Sequence, residues 1–244
     1  MNQLNTLQLK TKIRALVLSK GADLCGFAAL ERFAESPPGF HPRDVYPDCQ
    51  AFIGFLRHFP ASSLSSYSMA PYSFIRNMMV QKIDWITYEI CDELEAMGHT
   101  AIPIPCNEPY EYWDPEQRHG RSIVSLKHAA QLAGLGIIGK NTLLINDQFG
   151  NMFWLGGILT SVRVESDPLA MYSVCNPDCT ICLDGCPVSA LDGTTISQSR
   201  CREYSMGFSE GGGMIYRCNT CRVICPNHRG VSFGEPKTNN GAEI

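Results

Sequence analysis

Eight of the twelve cysteines in this 244-residue chain lie between Cys175 and Cys225. The stretch reads C-N-P-D-C-T-I-C-L-D-G-C-P from Cys175 to Pro187, then a single Cys201, then C-N-T-C-R-V-I-C-P from Cys218 to Pro226. Thiolates are soft donors that suit zinc and iron–sulfur centres. Two four-iron cubanes take eight thiolates, and Cys175, Cys179, Cys182, Cys186, Cys201, Cys218, Cys221 and Cys225 supply that number with none left over. Both C-x3-C-P ends, Cys182 to Pro187 and Cys221 to Pro226, match the bacterial cluster-binding run in which the cysteine before proline ligates the other cluster. The spacing predicts one 4Fe-4S cluster on Cys175, Cys179, Cys182 and Cys225. It predicts a second on Cys186, Cys201, Cys218 and Cys221. Each cluster then staples both halves of the segment.

The array departs from the standard run in two places. Three residues, not two, separate Cys175 from Cys179, and Cys201 lies far upstream of Cys218. Zinc and disulfides are the alternatives. The pairs Cys179/Cys182 and Cys218/Cys221 could build a zinc ribbon. Zinc would leave four neighbouring cysteines and both Cys-Pro pairs without a role. A disulfide framework belongs in an extracellular context, to which nothing here points. Cys25, Cys49, Cys91 and Cys106 show no ligand spacing and read as small buried apolar residues.

The elements that must position these thiols follow from composition and periodicity. At 44% hydrophobic, the chain can bury a sizeable core. Its 20 basic and 24 acidic side chains argue against a broad nucleic-acid surface. Residues 1–20 are amphipathic and unlike a secretory leader, and no run approaches the ~18 apolar residues of a spanning helix. The expectation is a cytoplasmic protein with no membrane partner. Leu9, Ile13, Leu16 and Val17 predict a first helix ending near Gly21. Ile75, Met79, Ile83, Ile86, Ile90, Leu94 and Met97 predict a long one ending at Gly98. A third helix is expected over 122–133, with Ser122 as N-cap. Strands are expected at 22–30, 51–56, 100–105, 142–145 and 152–160, the last two as a hairpin turning over 146–150. Residues 61–72 are Ser-rich and read as a surface loop, 106–121 as a long irregular one. Residues 162–173 read as a joint and the tail after Val231 as loose. The sum is an α+β fold with a largely antiparallel sheet.

Gly134, Gly136 and Gly139 spell G-x-G-x-x-G, and residues 134–140 nearly spell a P-loop. Both nucleotide motifs need a strand before and a helix after, and the order here is reversed. Asn141 also stands where a P-loop has Ser or Thr. The glycines let backbone approach something large and flat, or make a tight helix-to-strand turn.

The run from Lys127 to Ile145, K-H-A-A-Q-L-A-G-L-G-I-I-G-K-N-T-L-L-I, followed by the cysteine array, resembles the epoxyqueuosine reductase family, a relative of the corrinoid reductive dehalogenases. The resemblance covers residues 22–230 and is strongest over 127–141 and 175–226. It implies a nitroreductase-like corrinoid-binding domain over residues 1–165, and a C-terminal double-cluster ferredoxin-like module over 166–244. It implies cobalamin as cofactor, with flavin the lesser alternative for such a fold. The matching cofactor-binding segment is Gly134, Gly136, Gly139, Lys140 and Asn141. A low-potential donor such as ferredoxin or flavodoxin would supply electrons, and tRNA or a corrinoid protein are further implied partners. Three features differ from the family. Its proton-donating aspartate before the Lys127 helix is missing from the stretch Gly120 to Lys127. Its Arg-Asp-Tyr-His run is here Arg76-Asn-Met-Met79. The helical-repeat region that many members carry beyond the clusters is not in this sequence. With that aspartate absent, Tyr110, Tyr112, Asp114 and His119 are the candidate proton donors. Arg121 and Lys127 are candidates to stabilise negative charge. Three readings follow: a corrinoid-dependent reductase of another substrate, an electron-transfer or corrinoid-activating protein, or a tRNA epoxyqueuosine reductase with a relocated donor.

Overall fold

The structure, a computed structural model, describes residues 3–231. Helix α1 (Gln3–Ser19) buries Ile13 and Val17 and ends where Gly21 takes φ +100°, a left-handed conformation that glycine adopts without a Cβ penalty. Strand β1 (Leu24–Ala29) pairs antiparallel with β2 (Ala51–His58). The connection between them carries the single turn α2 (Pro42–Val45), capped by the His41 side chain. The 27-residue helix α3 (Ala70–Ala96) leads to β3 (Ala101–Ile104). The sheet is completed by β8 (Phe153–Thr160) in the order β1-β2-β8-β3, every pair antiparallel.

Both faces of this sheet are covered. On one face Phe27, Ile53, Phe55 and Ile158 meet Ile83, Ile86, Ile90 and Leu94 of α3. On the other, Phe52 and Leu159 meet Ala129 and Ala133 at helix α4 (Leu126–Leu132). That double coverage explains why β2 reads as an unbroken apolar run: its first six residues are all buried. No described helix is long and apolar enough to cross a membrane.

Several local expectations are corrected. The cap of α4 is Ser125, not Ser122. Residues 119–121 are drawn into a strand instead, where Gly120 exchanges two backbone–side-chain hydrogen bonds with Gln198. The supposed loop over 106–121 contains a hairpin of β4 (Tyr112–Asp114) and β5 (His119–Arg121). Asp114 closes its turn by accepting from the N–H groups of Glu116 and Gln117. The Ser-rich stretch holds a 3-10 turn at Ala61–Leu64 and the start of α3.

The turn at 146–150 forms, with reciprocal backbone bonds between Asn146 and Gly150, yet the flanking strands do not pair with each other. Instead β7 (Leu144–Ile145) pairs with β6 (Ile137–Ile138). Strand β8 is claimed by the main sheet because Gly156 and Gly157 admit the rings of Phe55 and Phe52. A Cβ there would lie 2.1 and 2.4 Å from those rings.

After β8 the chain is pinned by Asp167. Its carboxylate accepts from Lys10 Nζ at 2.8 Å, from Arg14 Nη2 and from the Phe27 N–H. The remainder is built of short pieces: α5 (Ile181–Asp184), α6 (Gln198–Ser205), the hairpin β9 (Met206–Phe208) and β10 (Met214–Tyr216), and α7 (Thr220–Val223). The tail after Val231 lies outside the described residues.

Candidate cluster sites and the adjoining cavity

Cys175, Cys179, Cys182 and Cys225 line one cavity of about 180 Å³. A tight turn, Cys179 N–H to the Asn176 carbonyl, brings the first two together, and α5 carries Cys182. Cys225 arrives from the far end of the array, just beyond α7. Asn227 holds it there by donating from Nδ2 to the Val174 carbonyl. Burial pushes the Cys225 thiol up to about 11, and its neighbouring thiols Cys175, Cys182 and Cys179 push the same way.

The other four form a second neighbourhood. Burial, foremost, raises Cys221 to about 11, with Cys201, Cys218 and Cys186 adding to it. Burial likewise raises Cys201, with Cys218 and Cys186 as its thiol neighbours. The fold thus brings Cys175, Cys179, Cys182 and Cys225 around one cavity and makes Cys186, Cys201 and Cys218 the thiol neighbours of Cys221. All twelve cysteines are free thiols. Among the described residues, no three His, Cys, Asp or Glu side chains converge as they would on a single ion.

The Gly134 to Asn141 segment wraps these sets. Lys140 Nζ donates to the carbonyls of Asn176, Pro177 and Cys179, and its N–H points at Cys175 Sγ, 3.5 Å away. Asn141, 2% exposed, donates from Nδ2 to the Cys221 carbonyl. Gly139 packs so closely that a Cβ would sit 3.5 Å from Cys175 Sγ. Gly134 and Gly136 have φ +78° and +159°, and their Cβ positions are blocked by the carbonyls of Pro168 and Ile145. None of these five residues lines the larger cavity described next.

That cavity, about 600 Å³, lies beside the second thiol set, and Cys201 forms part of its wall. Leu126, Leu143, Leu144, Phe153 and Leu155 make it apolar, while Arg76, Arg121, Lys127, Arg202 and Arg222 make it cationic. A neighbouring cavity of about 740 Å³ shares Arg76, Asn107, Tyr110 and Arg202 with it and adds Trp113 and Tyr216. Asn151 stands in the wall of the first, 1% exposed. Its Nδ2 donates to the Arg222 carbonyl, and its Oδ1 is buried with no hydrogen-bond partner among the described residues.

Of the six candidate catalytic residues, Tyr110, Arg121 and Lys127 line this cavity. Tyr112, Asp114 and His119 sit on the β4–β5 hairpin. Tyr112 serves there as a face for Arg121, 3.9 Å away, and Asp114 closes the turn. Lys127 Nζ donates to the Thr142 carbonyl at 2.6 Å. Burial holds its ammonium below the usual lysine range, against the opposing pull of Cys221. The Tyr110 hydroxyl accepts from Arg202 Nη2 at 3.0 Å. Arg76, Arg202, Arg222 and Asn151 escaped the sequence reading. Two of them carried a signal, since Arg202 follows Cys201 and Arg222 follows Cys221.

A double thiol array follows a four-stranded α+β fold beside a large cavity, and the same arrangement can be sought among known proteins. No family model matches the chain. The epoxyqueuosine reductase of Staphylococcus aureus is 35% identical over 120 residues, 45% of this chain and 31% of its own. That of Bacillus cereus is 25% identical over 261 residues, 93% of this chain and 66% of its own. Among solved structures, the epoxyqueuosine reductase of Streptococcus thermophilus superposes with a TM-score of 0.63 at 19% identity, covering 91% of this chain and 67% of that one. A reductive dehalogenase described as B12-dependent gives 0.63 at 18% identity, covering 89% of this chain and 31% of that one. One epoxyqueuosine reductase of this fold, TM-score 0.62, was solved with a modified tRNA stem loop. The chain is thus similar in sequence to epoxyqueuosine reductases over part of their length, and it shares its fold with them and with the reductive dehalogenases. It spans about two thirds of the Bacillus cereus relative, and its match to the Staphylococcus aureus relative spans less than a third of that protein.

Proposed function

We propose that this protein is an iron–sulfur reductase that uses a corrinoid, with residues 1–165 as the corrinoid domain and the rest as the cluster module. Cys175, Cys179, Cys182 and Cys225 would hold one 4Fe-4S cluster, and Cys186, Cys201, Cys218 and Cys221 the other. One observation carries the reading: Cys201 belongs to the second thiol set and also to the wall of the 600 Å³ cavity. An electron carrier held by that set borders the volume in which a substrate reacts.

The residues fit both groups. Two sets of four thiols are the ligand count of two cubanes. The apolar wall of the larger cavity suits the face of a macrocycle. Asn151 Oδ1, a buried acceptor without a donor among the described residues, suits an N–H group such as those of a corrin's carboxamide fringe. When bound, the clusters supply one-electron transfer and the corrinoid supplies a redox-active cobalt.

The chain itself contributes position, charge and a proton. Lys140 and Asn141 hold the thiol loops from outside. Lys127 and Arg222 set positive charge beside Cys221, which favours its thiolate. Tyr110 is the proton donor. Because its oxygen accepts from Arg202, its own hydrogen is free to be given to a reacting group in the cavity. Electrons come from a low-potential ferredoxin or flavodoxin.

Anaerobic reconstitution tests the reading. It should return about eight irons per chain, by the ligand arithmetic of two cubanes. Added cobalamin should then be retained on gel filtration, with its visible spectrum altered. A colourless zinc protein would end the redox reading. Intact clusters with no cobalamin retained would leave an electron-transfer protein.

A further inference from the structure

We infer that the substrate is a small molecule bearing an oxyanion, a carboxylate or phosphate monoester, and that Arg76, Arg121 and Arg202 bind it. This names the substrate class for the cavity proposed above as the reaction site. The charge pattern behind it does not depend on which cofactor is present.

Five cationic side chains line the 600 Å³ cavity and no carboxylate does, in a chain whose net charge is −4. None of the six ion pairs among the described residues involves any of the five. Like charges gathered in a partly desolvated space repel one another unless an anion compensates them. Two of the five have other work: Lys127 and Arg222 donate to the carbonyls of Thr142 and Asn151.

The other three are braced by rings instead of carboxylates. Arg121 lies over Phe40 and Tyr112, 5.6 and 3.9 Å from their centroids. Arg202 lies over Tyr110 and Trp113, at 5.2 and 4.9 Å, and Arg76 lies 4.1 Å over Tyr216. A ring face fixes the plane of a guanidinium and leaves its edge N–H groups free for a bidentate acceptor. The Arg121 side chain makes no hydrogen bond to any described residue, so its whole fork is available. Arg76 reaches Asn77 and Asn107, and Arg202 the Arg118 carbonyl and Tyr110, each with donors to spare.

The segment bordering the cavity carries the opposite sign. Residues 107–117 include Glu108, Glu111, Asp114 and Glu116 and no Lys or Arg. Four carboxylates within eleven residues oppose a phosphodiester backbone along that segment, and Glu108 itself lines the adjoining cavity with Arg76 and Arg202. The pattern therefore favours a small oxyanion over a nucleic acid, unlike the tRNA stem loop bound by the relative of known structure.

Equilibrium binding to the cluster-loaded protein tests this, with and without cobalamin. The probes are benzoate, phenyl phosphate, neutral benzamide and an RNA hairpin. One of the two anions should bind at least about tenfold more tightly than benzamide, the effect of a single charge-assisted hydrogen bond. Whichever anion leads identifies the oxyanion. Arg121→Gln should abolish the preference while leaving benzamide affinity and iron content unchanged. Equal affinity for anions and benzamide overturns the inference, as does binding of RNA alone. Arg121→Gln that loses cobalamin but keeps the anion preference also overturns it, since the charge then serves the cofactor. An anion preference in a protein that retains no cobalamin leaves this inference standing and removes the corrinoid reading.

Discussion

Replacing Lys140 by methionine should empty the first thiol set and spare the second. Lys140 Nζ donates to the carbonyls of Asn176, Pro177 and Cys179 at 3.4, 2.5 and 2.9 Å, and so holds the turn that presents Cys175 and Cys179. Methionine keeps the length and apolar character of the stem and removes all three bonds. A hydrogen bond to a charged group contributes about 1.5–3 kcal/mol when desolvated. Two of these three are exposed to water, so about 1 kcal/mol each is the better figure, or about 2–3 kcal/mol together. That is a roughly 30- to 150-fold loss in the population of the ligand-ready turn. The assay is iron per chain after anaerobic reconstitution and gel filtration. It should fall from about eight to about four by ligand count, with one cluster signal left in the paramagnetic resonance spectrum. Full iron content in the variant would refute the role given to Lys140. Full iron with loss of cobalamin would return the Gly134–Asn141 segment to the corrinoid.

Asp167→Asn should lower the melting temperature by about 4–8 °C. The estimate takes about 2 kcal/mol for losing the Lys10 and Arg14 partners, discounted because Arg14 is 35% exposed. The same carboxylate gives a pH signature. Burial alone would raise its pKa, but Lys10 and Arg14 outweigh burial and hold it below 3.8. Its contribution is therefore fully present above that ordinary value and is lost as pH falls through the folded one. Acid melting curves should show this limb in the native protein and lack it in the variant. Tyr110→Phe should lower reductive turnover by at least about a hundredfold with iron content unchanged, and unchanged turnover would place the proton donor elsewhere. Gly150→Ala should destabilise the chain by more than about 2 kcal/mol in denaturant titration. Its φ is +59° and the new Cβ would lie 2.2 Å from the His228 backbone, and a neutral result would show that the two segments part easily.

What could be read from sequence alone depends on range. The cysteine array was legible because C-x2-C and C-x3-C-P are local spacings whose chemistry tolerates few arrangements. Helix α3 was legible because Met79, Ile83, Ile86, Ile90 and Leu94 repeat on one face. The partner of Leu144–Ile145 was not, since a two-residue strand has no period to read. Asn146–Gly150 looked like a hairpin because turn chemistry is local, while Gly156 and Gly157 made β8 a partner of Phe55 and Phe52. The cationic cavity was illegible for the same reason. Arg76 comes from α3, Arg121 from β5 and Arg202 from α6, and no spacing links them.

The interleaving of the thiols has a consequence for how site and fold depend on each other. Cys182 lies in α5 and Cys186 just beyond it, yet they join different sets, and Cys221 in α7 and Cys225 beyond it do the same. Asn141 reaches the Cys221 carbonyl while its neighbour Lys140 reaches that of Cys179, so one short segment supports both sets. Four thiols held up by burial would have to release protons before binding iron, and each proposed cluster would then crosslink two distant pieces of chain. The pieces between Cys175 and Cys225 are too short to bury a core of their own, with helices of four to eight residues and strands of three. On the proposed reading their order would come from ligation of the sulfurs and from the sheet and helices behind them. Cluster loss from either set should therefore loosen Cys201, and with it the cavity wall where reduction is proposed to occur.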